Sequence, residues 1–165
     1  MLDSSHLHEV VITAIVQKDG KFLILQRSAG KRRFPNRWTV PGGRLETSDY
    51  VNEPKDTDEY WYNVLEKTLA REVSEEVGLK IRNVRYVTSL ATVHDDGAPS
   101  LVISCLADFA AGKIKLQAEE CQDHAWVSLK EAKNYDLIDG IYDELAMADA
   151  VARGKILNWR RHKKE

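Results

Sequence analysis

The chain has 165 residues, 24 of them basic and 26 acidic, for a formal net charge of −2. This length suits one domain, and 43% hydrophobic with 30% charged residues is a globular balance, not a disordered one. The even charge argues against a dedicated nucleic-acid binder, no apolar run approaches the ~20 residues of a membrane span, and residues 1–9 lack a signal-peptide layout.

In chain order, residues 8–17 and 21–27 read as two strands joined by Lys18-Asp19-Gly20, a hairpin turn by its Asp-Gly pair. A polar, basic loop follows over 28–36, then a short strand over 37–40 and the turn Pro41-Gly42-Gly43. The spacing predicts a helix over 57–77. Asp56 and Glu59 offer a capping box, Trp61, Leu65, Leu69, Val73 and Val77 form an apolar stripe, and Gly78 stops it. Three strands are expected at 81–94, 101–109 and 113–117, with turn residues at 95–99 and a last short strand at 123–129. A second helix is expected over 139–153, with Ile141, Leu145, Ala148 and Ala152 on one side. Strands around one helix with another at the end indicate an α/β domain in which a mixed β-sheet packs between helices. Cys105 and Cys121 read as small buried hydrophobes, and a reduced, cytoplasmic protein is expected.

The chemistry concentrates in Arg71-Glu72-Val73-Ser74-Glu75-Glu76-Val77-Gly78-Leu79. At about 100° per residue, Glu72, Glu75 and Glu76 share a strip roughly 100° wide. They crowd the helix C-terminus, where the macrodipole already disfavours negative charge, and like charges at these spacings repel. Two readings stand at this point. The strip is either a solvated acidic face, with Arg71 a simple helix ion pair, or a site for a divalent cation. The upstream Trp38-Thr39-Val40-Pro41-Gly42-Gly43, a short strand ending in paired glycines, favours the second, because glycine lets backbone approach a ligand closely.

Together these residues resemble the Nudix hydrolase superfamily in its MutT-like branch, whose box reads G-x5-E-x7-R-E-U-x-E-E-x-G-U with U a bulky apolar residue. Arg71, Glu72, Val73, Glu75, Glu76, Gly78 and Leu79 each stand in the required place, and Leu25-Gln26-Arg27 and Pro41-Gly42-Gly43 look like the family's lead-in. The resemblance implies a single Nudix domain over 1–165, with its core at 8–153 and a basic tail at 155–165. Counting back from Arg71 puts the first box glutamate at Asn63, which is 20 positions after Gly43 where the pattern has 6. That reading implies a 14-residue insertion around 48–62 and leaves Glu66 or Glu59 to replace the acid that orients the box arginine.

The resemblance further implies a metal-dependent hydrolase that cleaves a phosphoanhydride in a nucleoside diphosphate linked to another group. A nucleoside triphosphate, plain or modified, is the leading substrate. ADP-ribose or another sugar nucleotide is the second, and a catalytically silent nucleotide-binding module is the alternative. Mg²⁺ or Mn²⁺ would be held by Glu72, Glu75 and Glu76, with the Gly43 carbonyl and Glu120 as further ligands and Glu119 as the alternative to Glu120. Arg71, Glu72, Glu75, Glu76 and Glu120 are the expected catalytic set. Arg27, Gly42, Gly43 and Trp38 are the expected substrate contacts. Lys31-Arg32-Arg33 could guide an anionic substrate, Tyr60 or Tyr62 could stack on a base, Trp61 belongs to the core stripe, and His94 reads as a surface residue. The expected partner is a small nucleotide, without nucleic acid or membrane, and family members often dimerise, which makes a homodimer touching through the insertion an expectation.

Overall fold

The computed structural model describes residues 6–161. Residues 1–5, part of the stretch that lacks a signal-peptide layout, and the end of the basic tail, 162–165, lie outside them. Elements run β1 (Glu9–Lys18), β2 (Lys21–Arg27), β3 (Trp38–Thr39), β4 (Gly42–Arg44), α1 (Val64–Val77), β5 (Leu79–Val93), β6 (Pro99–Gly112), β7 (Cys121–Val127), α2 (Leu129–Ala132) and α3 (Ile141–Ala152).

The sheet order is β3-β2-β1-β6-β5, with β7 paired to β2 and β4 to β1. Among the described strands β1 and β6 pair in parallel and the other strand pairs are antiparallel, so the sheet is mixed as expected. Asp19 (φ 50) and Gly20 (φ 74) make the β1–β2 turn with two successive left-handed residues, the requirement that Asp-Gly meets. Beyond the turn the two strands part. β2 pairs with β1 at Gln17 and Lys18, whereas the other end of the same β1 edge, at Val11–Thr13, is taken by β4.

Alternation along β1 sends Ile12, Ala14 and Val16 to one face, where they join Leu69, Val73 and Val77 of α1, and Ile15 to the other, where it joins Leu145 and Ala148 of α3. Each of these side chains is fully or almost fully buried, a gain of roughly 1.5–3 kcal/mol for each large aliphatic one. The result is the predicted helix–sheet–helix sandwich. Gly78 (φ 72) ends α1 in the left-handed cap, its N–H donating to the Ser74 carbonyl.

Four local expectations are corrected. Helix α1 begins at Val64, not at 57: Asp56 accepts from the Tyr62 N–H at 2.8 Å and Thr57 from the Tyr60 N–H at 3.0 Å, so these side chains fold a loop and not a cap. Trp61 therefore leaves the core stripe and sits in that loop, its Nε1–H donating to the Glu53 carbonyl at 2.8 Å. Residues 113–117 form no strand, because their backbone turns to cap α1, Lys115 N–H donating to Val77 and Gln117 N–H to Glu76. The last strand ends at Val127, two residues early, because Ser128 and Glu131 make a capping box that opens α2.

Candidate functional site

β4 sets Gly42 opposite Thr13 and Gly43 opposite Ile12. Neither position has room for a Cβ. One on Gly42 would overlap the Ile12 carbonyl, and one on Gly43 would overlap the Glu72 carboxylate. The paired glycines thus serve close approach: α1 lays Glu72 directly against the backbone of Gly43.

One turn on, Glu76 points inward and is 9% exposed. Its Oε2 accepts from the Gly42 N–H at 3.1 Å and its Oε1 from the Cys121 thiol at 3.0 Å. Burial pushes its pKa above the ordinary glutamate value, the two hydrogen bonds pull it partly back, and Glu120 and Glu72 push it up again. Glu72 is shifted the same way by burial, against the pull of Arg71.

Glu72, Glu76, Gly42, Gly43, Arg27, Lys31 and Glu120 all line one cavity of about 590 Å³. Glu120 is tied to Lys31 at 2.6 Å, and Arg27 Nε–H donates to the Arg33 carbonyl at 2.9 Å. Arg33 bridges Glu9 at 3.1 Å and Asp96 at 2.9 Å, so this part of the basic loop is pinned to the sheet edge. His94, expected on the surface, also lines the cavity, with Nε2 3.0 Å from Ser100 Oγ.

Three expected site residues lie elsewhere. Glu75 does not line the cavity; it is half-exposed and bound to Arg71 at 2.9 Å. Arg71 does not line the cavity either and grips three carboxylates, Asp49 and Glu72 at 2.8 Å each as well as Glu75. Trp38 packs edge-on against Tyr135 at 4.7 Å in the core under α3, because β3 locks to the segment before α3 through Trp38 N–H to Asp136 and Ile138 N–H to Trp38.

The partner of Arg71 corrects the placement of the first box acid. Asn63 begins α1 in the left-handed region (φ 54), and among the described residues no hydrogen bond joins it, Glu59 or Glu66 to Arg71. Counting forward from Gly43 by the same G-x5-E spacing reaches Asp49, whose carboxylate is 6% exposed and touches the guanidinium. Asp49 Oδ2 also accepts from the Glu46 N–H at 2.9 Å and the Thr68 hydroxyl at 3.1 Å. An aspartate therefore stands in the glutamate position, and the insertion follows it as residues 50–63. That loop closes on itself: Tyr50 and Trp61 rings lie 5.4 Å apart and Lys55 sits over Trp61.

A hard divalent cation suits this donor set, which is oxygen-only on the Glu72, Glu76 and Glu120 side chains, with a glycine backbone that no Cβ obstructs. Among the described residues no three acidic, His or Cys side chains are gathered as a ready-made cage, since each carboxylate is held by its own protein partner. No helix among them is long and apolar enough to cross a membrane.

The NUDIX domain pattern matches residues 6–146. The nucleoside triphosphatase NudI of Klebsiella pneumoniae (strain 342) is 26% identical over 139 residues, 77% of this chain and 86% of that protein. The fold is similar to that of a MutT Nudix hydrolase from Burkholderia pseudomallei (TM-score 0.68, 18% identity, 86% of this chain and 98% of that one). It is also similar to the Nudix domain of Shewanella oneidensis NrtR, solved with ADP ribose (TM-score 0.65, 17% identity, 90% of each chain). With the acidic helix, the paired glycines and the sandwich in place, the chain belongs to the Nudix family and is one of its hydrolases.

Proposed function

We propose that the chain hydrolyses a nucleoside triphosphate, plain or modified, at a phosphoanhydride bond, using Mg²⁺ or Mn²⁺. The observation that carries this reading is the make-up of this cavity. Glu72, Glu76 and Glu120 line it together with cationic Arg27 and Lys31 and with apolar Val40, Leu90, Ile138 and Ile141. The named activity of the NudI relative supports a triphosphate over a sugar nucleotide.

Glu72 and Glu76, with Glu120 and the Gly43 carbonyl, would hold the cation, which when bound offsets phosphate charge and acidifies water. Glu75 joins them only by leaving Arg71. Arg27 and Lys31 would contact phosphate oxygens, for which a guanidinium fork and an ammonium are suited. Water oxygen bonds to phosphorus, the bridging P–O bond breaks with its electron pair leaving on the departing phosphate, and the water proton passes to a cavity carboxylate. The same reading places the enzyme in the cytoplasm.

The test is phosphate or pyrophosphate release from a panel of nucleoside triphosphates, ADP-ribose and UDP-sugars, with and without Mg²⁺. Metal-dependent turnover of a triphosphate is expected. Turnover of ADP-ribose alone would replace the substrate, and binding with no turnover of any panel member would mark a silent module.

A further inference from the structure

Cys105 and Cys121 are both buried in the apolar cluster that packs under α1. Packing accounts for Cys105. Cys121 carries a second constraint. It is the first residue of β7, and the register against β2 shifts beside it: Gln26 pairs with Asp123, whereas Arg27 pairs with Cys121. A shift of this kind re-aims the neighbouring side chain. The loop before Cys121 is tied down as well. Gln117 N–H donates to the Glu76 carbonyl, Cys121 N–H to the Gln117 carbonyl and Ser28 N–H to the Glu120 carbonyl, each at 2.9 Å. The backbone so held brings the Cys121 thiol to the Glu76 carboxylate while the adjacent Glu120 lines the cavity.

The two oxygens of Glu76 are held separately. Oε2 accepts from the Gly42 N–H at 3.1 Å, and Oε1 accepts from the Cys121 S–H at 3.0 Å. The amide is fixed by the pairing of β4 with β1 and acts as a pivot. Rotation of a carboxylate about its last torsion is soft, so one donor on one oxygen leaves the plane free to turn. A second donor on the other oxygen stops it. An ionised carboxylate offers about four lone-pair sites, and two donors leave the others free for a cation. A thiol suits this task because it is a weak donor and an apolar filler at once: it sets the plane without drawing much charge from the oxygen.

We propose that Cys121 is a positioning residue, whose thiol fixes the plane of the Glu76 carboxylate and keeps its remaining lone pairs available to a divalent cation. This role rests on the proposed use of Glu76 as a cation ligand. Groups that orient the ligands of a metal typically change its affinity by about 10–100-fold when removed, and a weak donor belongs at the low end of that range.

The test is Mn²⁺ binding to the full chain without nucleotide, read by electron paramagnetic resonance, with thermal melts on the same samples. Cys121→Val keeps an apolar side chain of similar size and removes the donor, whereas Cys121→Ser keeps a donor and gives up apolar contact. A positioning role and a packing role therefore rank the two variants in opposite orders. Cys121→Val is expected to bind Mn²⁺ about tenfold more weakly with a melting temperature near that of wild type. Cys121→Ser should bind within about threefold of wild type even where it melts lower. Cys121→Ala, which adds no branch, should repeat the loss of affinity and serves if Cys121→Val does not fold. Cys105→Ala, in the same cluster, should leave Mn²⁺ affinity within about twofold. Wild-type affinity in Cys121→Val or Cys121→Ala, or binding in Cys121→Ser as weak as in Cys121→Val, would overturn the role of Cys121 alone. Wild type that binds no Mn²⁺ would sink the metal reading of the cavity and this role with it.

Discussion

Arg71 and Asp49 meet at 2.8 Å across the loop formed by residues 50–63, and this contact fixes the direction of the acidic helix face. The guanidinium joins Asp49 on the short helical turn Thr47–Asp49 to Glu72 and Glu75 on α1. Burial opposes its charge, and the surrounding carboxylates more than compensate, raising its pKa. Asp49 thus holds the guanidinium that also grips Glu72.

Removing that carboxylate should cost turnover more than folding. Asp49→Ala is expected to lower kcat by about tenfold or more with a smaller change in KM, because under the proposed function it disturbs Glu72, a proposed metal-holding carboxylate, and not substrate binding. Asp49→Glu should recover much of the loss. Asn63→Gly should stay within about twofold of wild type, since a left-handed cap is all the structure asks of that position. Steady-state kinetics on the three variants checks the assignment; a large kcat loss in Asn63→Gly and none in Asp49→Ala would reverse it.

The contact between Gly43 and Glu72 makes a second prediction. Gly43→Ala forces the Glu72 carboxylate off the backbone and is expected to cut turnover at least about tenfold with little loss of stability, because only the end of a flexible side chain has to move. Gly30→Ala is the control: nothing stands within 4 Å of its added methyl, and both stability and turnover should be unchanged. Thermal melts and kinetics on the pair separate local displacement from a general intolerance of alanine.

Stability should vary with pH through Glu144. Burial raises the pKa of Glu144 above its usual 4.5 in the folded state. The folded protein therefore holds that proton more tightly than the unfolded chain, and the stability this contributes is lost as pH rises above about 4.5 through the raised value. Glu144→Gln has nothing to titrate. Its Tm relative to wild type should increase as pH goes from 5 to 8. A difference that stays flat or declines over that range would contradict the assigned burial.

The sandwich and the acidic strip were readable because each rests on local periodicity. Alternation in β1, the stripe Leu65, Leu69, Val73 and Val77, and the stop at Gly78 are all consequences of short-range geometry. The start of α1 was misread because Asp56, Thr57 and Glu59 offer the same side-chain acceptors to a loop as to a helix cap. Asp49 was missed by counting back through a loop of unknown length when the fixed spacing lay on the Gly43 side. Trp38 was misplaced because an aromatic beside a glycine turn serves a core as readily as a ligand, and only pairing with the 136–138 segment decides between them. Glu144 gave no sequence signal, since its position beside Ser104 depends on how α3 crosses the sheet.

The most direct measurement is the Mg²⁺ dependence of nucleoside triphosphate turnover in Glu76→Gln against wild type, with circular dichroism confirming the fold. Glu76 is the carboxylate most deeply set among the cavity groups of α1, and the amide keeps its shape while removing its charge. A fall in kcat of about a hundredfold or more is expected, with a weakened response to added Mg²⁺. Turnover and metal response equal to wild type would contradict it.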